Sequence, residues 1–158
     1  MCRGGVRLDI AVVNGLLHGY EIKSDRDSLR RLGKQVDVYG RVLDRATLVV
    51  GDRFLKVASG LVPPWWGLLH VHAEGEKLEF RVVRPEEKNP RRDPRALVEL
   101  LWSDHAMRLL EQRDAARGVR RKPRRIVWAR VCEHFGVEEI ADAVRTGLKA
   151  RAAHQAPA

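Results

Sequence analysis

Asp9, Glu21 and Lys23 are the residues whose types and spacing can do chemistry together. Asn14-Gly15 lies between them and is a strong hairpin signal. Residues 8–13 and 16–23 therefore read as two antiparallel strands. Side chains alternate along a strand, so Glu21 and Lys23 share one face. Asp9 joins them only if it pairs opposite Glu21. A two-residue turn would send Asp9 to the other face, so the arrangement requires a three-residue loop or a bulge. Two adjacent carboxylates repel, and a hard divalent cation removes that penalty. Mg²⁺ accepts one or two carboxylates together with waters and substrate phosphate. Asp9 and Glu21 are the candidate ligands, and the backbone carbonyl of Ile22 is a further oxygen. Lys23 would present a cation to the attacking water or to charge developing on the phosphate. The result would be a phosphodiester hydrolysis site dependent on Mg²⁺ or Mn²⁺. The plainer reading is a solvated face with weak ion pairs, worth roughly 0–1 kcal/mol each.

The elements that must position these groups follow from periodicity. Ser24 or Asp25 reads as a helix cap. A helix to about residue 43 carries Leu29, Leu32, Val36, Tyr39 and Leu43 as one apolar stripe. Residues 46–50 form a continuous apolar run closed by Gly51, the pattern of a buried strand. Its link back through the helix is a βαβ crossover, so strands 17–23 and 46–50 should run parallel. A short helix over 52–61 ends at Pro63-Pro64, and residues 68–72 and 78–83 read as two further strands. Residues 85–93 read as a linker. Asp93 caps a helix with Pro94 at its first position. Helices starting near Ser103, over 124–135 and over 138–151 complete a basic helical domain, 94–153, and residues 154–158 should fray.

Here the residues meet a known family. Asp9 followed by Glu21-Ile22-Lys23 after a hairpin resembles the PD-(D/E)XK nuclease superfamily. Gln35 and Tyr39 resemble the Q-x-x-x-Y motif of its RecB-like branch. The stretch from His18 to Asp27, with Leu48-Val49-Val50-Gly51 and Val62-Pro63-Pro64-Trp65-Trp66-Gly67, is similar to a group of uncharacterised bacterial proteins assigned to that superfamily. The resemblance implies an α/β, restriction-endonuclease-like mixed sheet flanked by helices over residues 1–84. It also implies metal-dependent cleavage of DNA in repair, recombination or defence. Asp9 and Glu21 would hold the metal, Lys23 would assist the water, and Gln35 would orient the site. Tyr39 would lie against the nucleic acid. Leu8 stands where the motif has proline. Only eight residues precede Asp9, so the first helix and strand of that core are expected to be missing. A sheet without them would expose an apolar face or edge and invite a second copy or a partner chain.

The chain has 158 residues, of which 44% are hydrophobic, so it can bury a core. No apolar run reaches the roughly 20 residues of a membrane span, and no secretion signal opens the chain. Cys2 and Cys132 alone exclude a disulfide framework and a four-cysteine zinc site. A cytoplasmic protein is expected. The net charge is +9, which makes polyanions the first partners to consider. Residues 1–90 carry 15 basic and 12 acidic side chains, and residues 91–158 carry 15 and 9. Arg120, Arg121, Lys122, Arg124 and Arg125, flanked by Arg117 and Arg130, read as a phosphate-contact surface, helix-turn-helix-like in its setting, or equally as a solvated face answering the acids of a neighbouring helix. DNA is the expected partner, with RNA also open. At least one of Trp65 and Trp66 reads as a core cap, with base stacking as the alternative. His70 and His72 share a strand face but show no third ligand nearby in sequence. The competing function is a catalytically inactive nuclease fold that binds nucleic acid or a protein partner.

Overall fold

The computed structural model describes residues 6–155. The chain divides into two compact units, Met1–Arg91 and Arg92–Ala158.

The first unit is α/β. Its five strands are β1 (Ile10–Val13), β2 (Leu17–Lys23), β3 (Arg45–Val50), β4 (Gly67–Glu74) and β5 (Lys77–Arg84). They form one mixed sheet in sequence order. β2, β3 and β4 run parallel, and β1 and β5 pair antiparallel at the two edges. The parallel pairs are joined by helices α1 (Leu32–Gly40) and α2 (Asp52–Leu61), as crossover connections require. Glu21, Leu48 and Leu68 stand in register on adjacent strands and share one face. That face holds the core, with Leu32, Tyr39, Leu48, Val50, Ala58 and Trp66 all buried.

Three boundaries differ from the sequence reading. The last helix runs to Gln155, into the tail expected to fray, of which residues 156–158 lie outside the described residues. α1 begins at Leu32 rather than near residue 25. Ser24 instead closes a turn in which its amide and hydroxyl both donate to Asp27, and Ser28 caps a short 3-10 turn, Leu29–Arg31. Asp25 accepts from the amide of Arg53 and so serves the start of α2, 28 residues away. The expected linker over 85–93 belongs largely to the first unit. Asn89 is buried, its side chain donates to the carbonyls of Gly40 and Leu43, and its amide donates to the carbonyl of Asp44. These bonds satisfy carbonyls at and beyond the end of α1 that the helix itself leaves open.

The second unit is all helical: α3 (Pro94–Val98), α4 (Ser103–Glu111), α5 (Arg124–His134) and α6 (Val137–Gln155). Asp93 caps α3 by accepting from the amide of Arg95. Leu97, Leu110, Val127, Val131, Phe135, Ile140 and Val144 form its core. Only two residues separate α5 from α6, and Glu139 accepts from the amide of Gly136 between them. Cys132 is half-buried. Among the described residues, no helix is long and apolar enough to cross a membrane.

Candidate active site

The hairpin has the register that the chemistry requires. Val13 pairs with Leu17 and Ile10 with Tyr20, which leaves a three-residue loop, 14–16. Gly15 sits in it at φ +73°, the left-handed region that glycine enters freely. Continuing the register places Asp9 opposite Glu21. The Asp9 carboxylate accepts from the amide of Ile22 at 2.8 Å.

Glu21 is the centre of the site. It is 1% exposed, yet three donors reach it. Lys23 Nζ donates to Oε1 at 2.7 Å, Gln35 Nε2 donates to the same oxygen, and the Tyr39 hydroxyl donates to Oε2 at 3.1 Å. The local reasons are simple. Alternation along β2 brings Glu21 and Lys23 to one face, and the four-residue spacing on α1 brings Gln35 and Tyr39 to one side of the helix. A buried carboxylate is tolerated only when paired and hydrogen-bonded, and here it is both. Burial, and then the adjacent Glu21 charge, push the Tyr39 phenol well above its ordinary value. Tyr39 therefore remains a protonated donor.

Tyr39 requires a correction. It is 0% exposed, so it cannot lie against a nucleic acid. Its hydroxyl is spent on Glu21 and its ring stacks near Trp66, with centroids 6.4 Å apart. Trp66 is likewise buried and closed to base stacking, whereas Trp65 is half-buried.

The donor set suits a hard cation. Asp9 and Glu21 offer oxygens only, in the number that Mg²⁺ or Mn²⁺ takes from a protein. The amide oxygen of Gln35 adds a second indication, because it is buried with no hydrogen-bond partner among the described residues while its nitrogen touches Glu21. Among the described residues there is no cluster of three or more His, Cys, Asp or Glu side chains able to hold a metal. The site is thus one of two carboxylates, with Lys23 already offsetting the charge of Glu21.

A second cluster escaped the sequence reading. Asp52, the first residue of α2, bridges two imidazoles, with Oδ1 2.8 Å from His70 Nε2 and Oδ2 2.7 Å from His72 Nδ1. His70 stands in register with Val50, and Val50 with Lys23, on the face that carries Glu21. The two clusters are therefore two strands apart, about 10 Å, near the carboxyl ends of the parallel strands. The hydrogen bond to Asp52 raises the His72 value, and the hydrogen bonds from His72 and His70 lower that of Asp52. The sequence signal was the His-x-His pair on one strand face. Its carboxylate partner lies 18 residues before His70, on a different element.

The basic residues of the second unit are exposed: Arg117, Arg121, Lys122, Arg124 and Arg125, with Arg120 open through its side chain. Arg120 pairs with Glu111 at 2.7 Å, and Arg124 Nε donates to the Ser103 hydroxyl at 3.1 Å. Half-buried Arg130 pairs with Glu133. The tract occupies the turn before α5 and its first two residues.

Comparison with known proteins gives one family. The chain matches the family described as bacteriophage P4 protein cII over residues 3–156. Protein cII of Enterobacteria phage P4 is 31% identical over 78 residues, which is 49% of this chain and 30% of that protein. The match thus spans less than a third of that relative's length. No solved structure matches the chain.

Proposed function

The chain belongs to the bacteriophage P4 protein cII family, and we propose that its α/β unit is a metal-dependent deoxyribonuclease with a restriction-endonuclease-like core of the PD-(D/E)XK type. One observation carries the reading: buried Glu21 receives Lys23, Gln35 and Tyr39 at once, and Asp9, just before β1, accepts from the amide of the next residue, Ile22. A solvated hairpin face would leave these groups in water. Here polar residues from two elements converge on one carboxylate, and buried convergence of this kind is a mark of functional sites.

Asp9 and Glu21 would hold Mg²⁺ or Mn²⁺, which supplies Lewis-acid polarisation of the phosphate and activation of water. Lys23 pairs with Glu21 Oε1 and, on leaving that oxygen, would present its ammonium to charge developing on the phosphate. Gln35 and Tyr39 fix the plane of the Glu21 carboxylate. The exposed arginines and lysine before α5 would contact phosphates without reading bases.

The test is plasmid nicking by the full chain with Mg²⁺ or Mn²⁺. Asp9 is exposed, so Asp9→Ala should fold normally, bind DNA and lose cleavage. No nicking by the parent protein, or nicking that survives Asp9→Ala, removes the enzymatic reading.

A second reading has its own support. Both Glu21 oxygens are already occupied by donors of the chain itself, as in an inactive fold kept for binding nucleic acid. It expects DNA retention without cleavage and no rise in Tm with metal. A working site should gain about 2.7 kcal/mol of stability at a hundredfold excess of metal over its Kd.

A further inference from the structure

The two faces of the sheet differ sharply. One carries Glu21, α1 and α2. The register places the opposite face: Ile22 beside Val49, Val49 beside Leu69, and Leu69 beside Val82. Val71 with Phe80, and Ala73 with Leu78, extend it along the outer hairpin, and Ile10 opposite Tyr20 extends it to the other edge. Six large apolar side chains on this face stand open to solvent: Ile10 at 48%, Val12 at 45%, Ile22 at 40%, Leu78 at 58%, Phe80 at 64% and Val82 at 66%. Scattered apolar residues on a surface need no explanation. A contiguous band across all five strands does.

We propose that this open sheet face is the interface with a second copy of this chain. Its size fits: the exposed fractions correspond to roughly 600 Å² of apolar surface per copy before the half-buried residues between them are added, against about 800 Å² per partner in a standard interface. Its charge fits as well. The chain carries +9 overall, so net repulsion opposes association through its charged surfaces. On β5 the charged side chains alternate away, with Glu79 opposite His72 and Arg81 opposite His70 on the Glu21 face. Arg45, at one end of the open face, lies 3.4 Å from Glu86. A neutral apolar band has nothing to offer a polyanion and does not repel its own copy. A two-fold axis then packs sheet on sheet at about 10 Å, each face covering the other. The face that carries Glu21, α1 and α2 is turned away from the partner copy.

The experiment is sedimentation velocity of the nuclease-treated full chain at about 1 M salt, where the Debye length is about 3 Å and bridging nucleic acid is released. The expected mass is twice 18.0 kDa. Phe80→Glu and, separately, Leu78→Glu should raise the dimer Kd by roughly 100-fold or more, since each would bury an unpaired charge. Both residues are largely exposed in the single chain, so circular dichroism should be unchanged. Glu79→Lys, on the opposite face of the same strand, should remain dimeric. A monomer at about 100 μM, far above the Kd of a standard interface, overturns the proposal. So does a dimer that dissociates at high salt or one that survives both substitutions.

Discussion

Glu21 needs its neighbours in different ways. Lys23 supplies the opposite charge, Gln35 a neutral donor and Tyr39 a phenol held protonated by burial and by the carboxylate beside it. Tyr39→Phe removes one hydrogen bond to a charged acceptor and leaves the ring in place. We expect urea unfolding to show a loss of about 1.5–3 kcal/mol, with DNA affinity unchanged. A drop in affinity with stability intact would return Tyr39 to the strand-binding role that its position in the motif first implied. The residue types of this site were all legible in the sequence. Alternation on one strand and a four-residue spacing on one helix suffice to pair them two by two. That the two pairs meet was not legible, because it depends on how α1 crosses the sheet.

Pairings between elements made the second cluster. α2 starts at Asp52, and β4 presents His70 and His72 to its first turn. The direction of each shift sets the pH window. The His72 value is raised above 6.5, so its contribution is complete below about 6.5 and is lost as pH rises through the raised value. The Asp52 value is lowered below 3.8, so its contribution holds above 3.8 and is lost only as pH falls through the lowered value. From pH about 6 to 8 the parent protein should therefore lose more Tm than His72→Gln does. Identical slopes in the two proteins would mean that the pair does not act in solution. The basic tract at the start of α5 makes a separate prediction. Arg121 and Arg125 are exposed, and Arg120 and Arg124 already have partners within the chain. Arg121→Ala and Arg125→Ala each take one cation away from the phosphates. Either substitution should flatten the salt dependence of DNA binding by roughly 0.9. An unchanged slope assigns the tract to solvent.

Across the whole molecule, the boundary between the two units is set by hydrogen bonds rather than by composition. Residues 85–91 are polar and rich in proline and charge, which reads as a linker, yet Asn89 is anchored to Gly40, Leu43 and Asp44. A fragment ending at Arg91 should unfold cooperatively in urea. One ending at Arg84 should be less stable by about 1–3 kcal/mol, because buried carbonyls lose their donor. Equal midpoints would restore the linker. Family membership rests on the match to bacteriophage P4 protein cII over residues 3–156. By itself the sequence determined the strands, the parallel crossover and the residue types of the site, because these follow from periods of two and of three to four, whereas the length of the hairpin loop was only a condition that the site imposed. Tertiary structure alone decided that Tyr39 is sealed from solvent, that Asp52 joins two histidines and that Asn89 ties back the supposed linker. Each depends on which surfaces meet across tens of residues, and no local pattern in the chain encodes that.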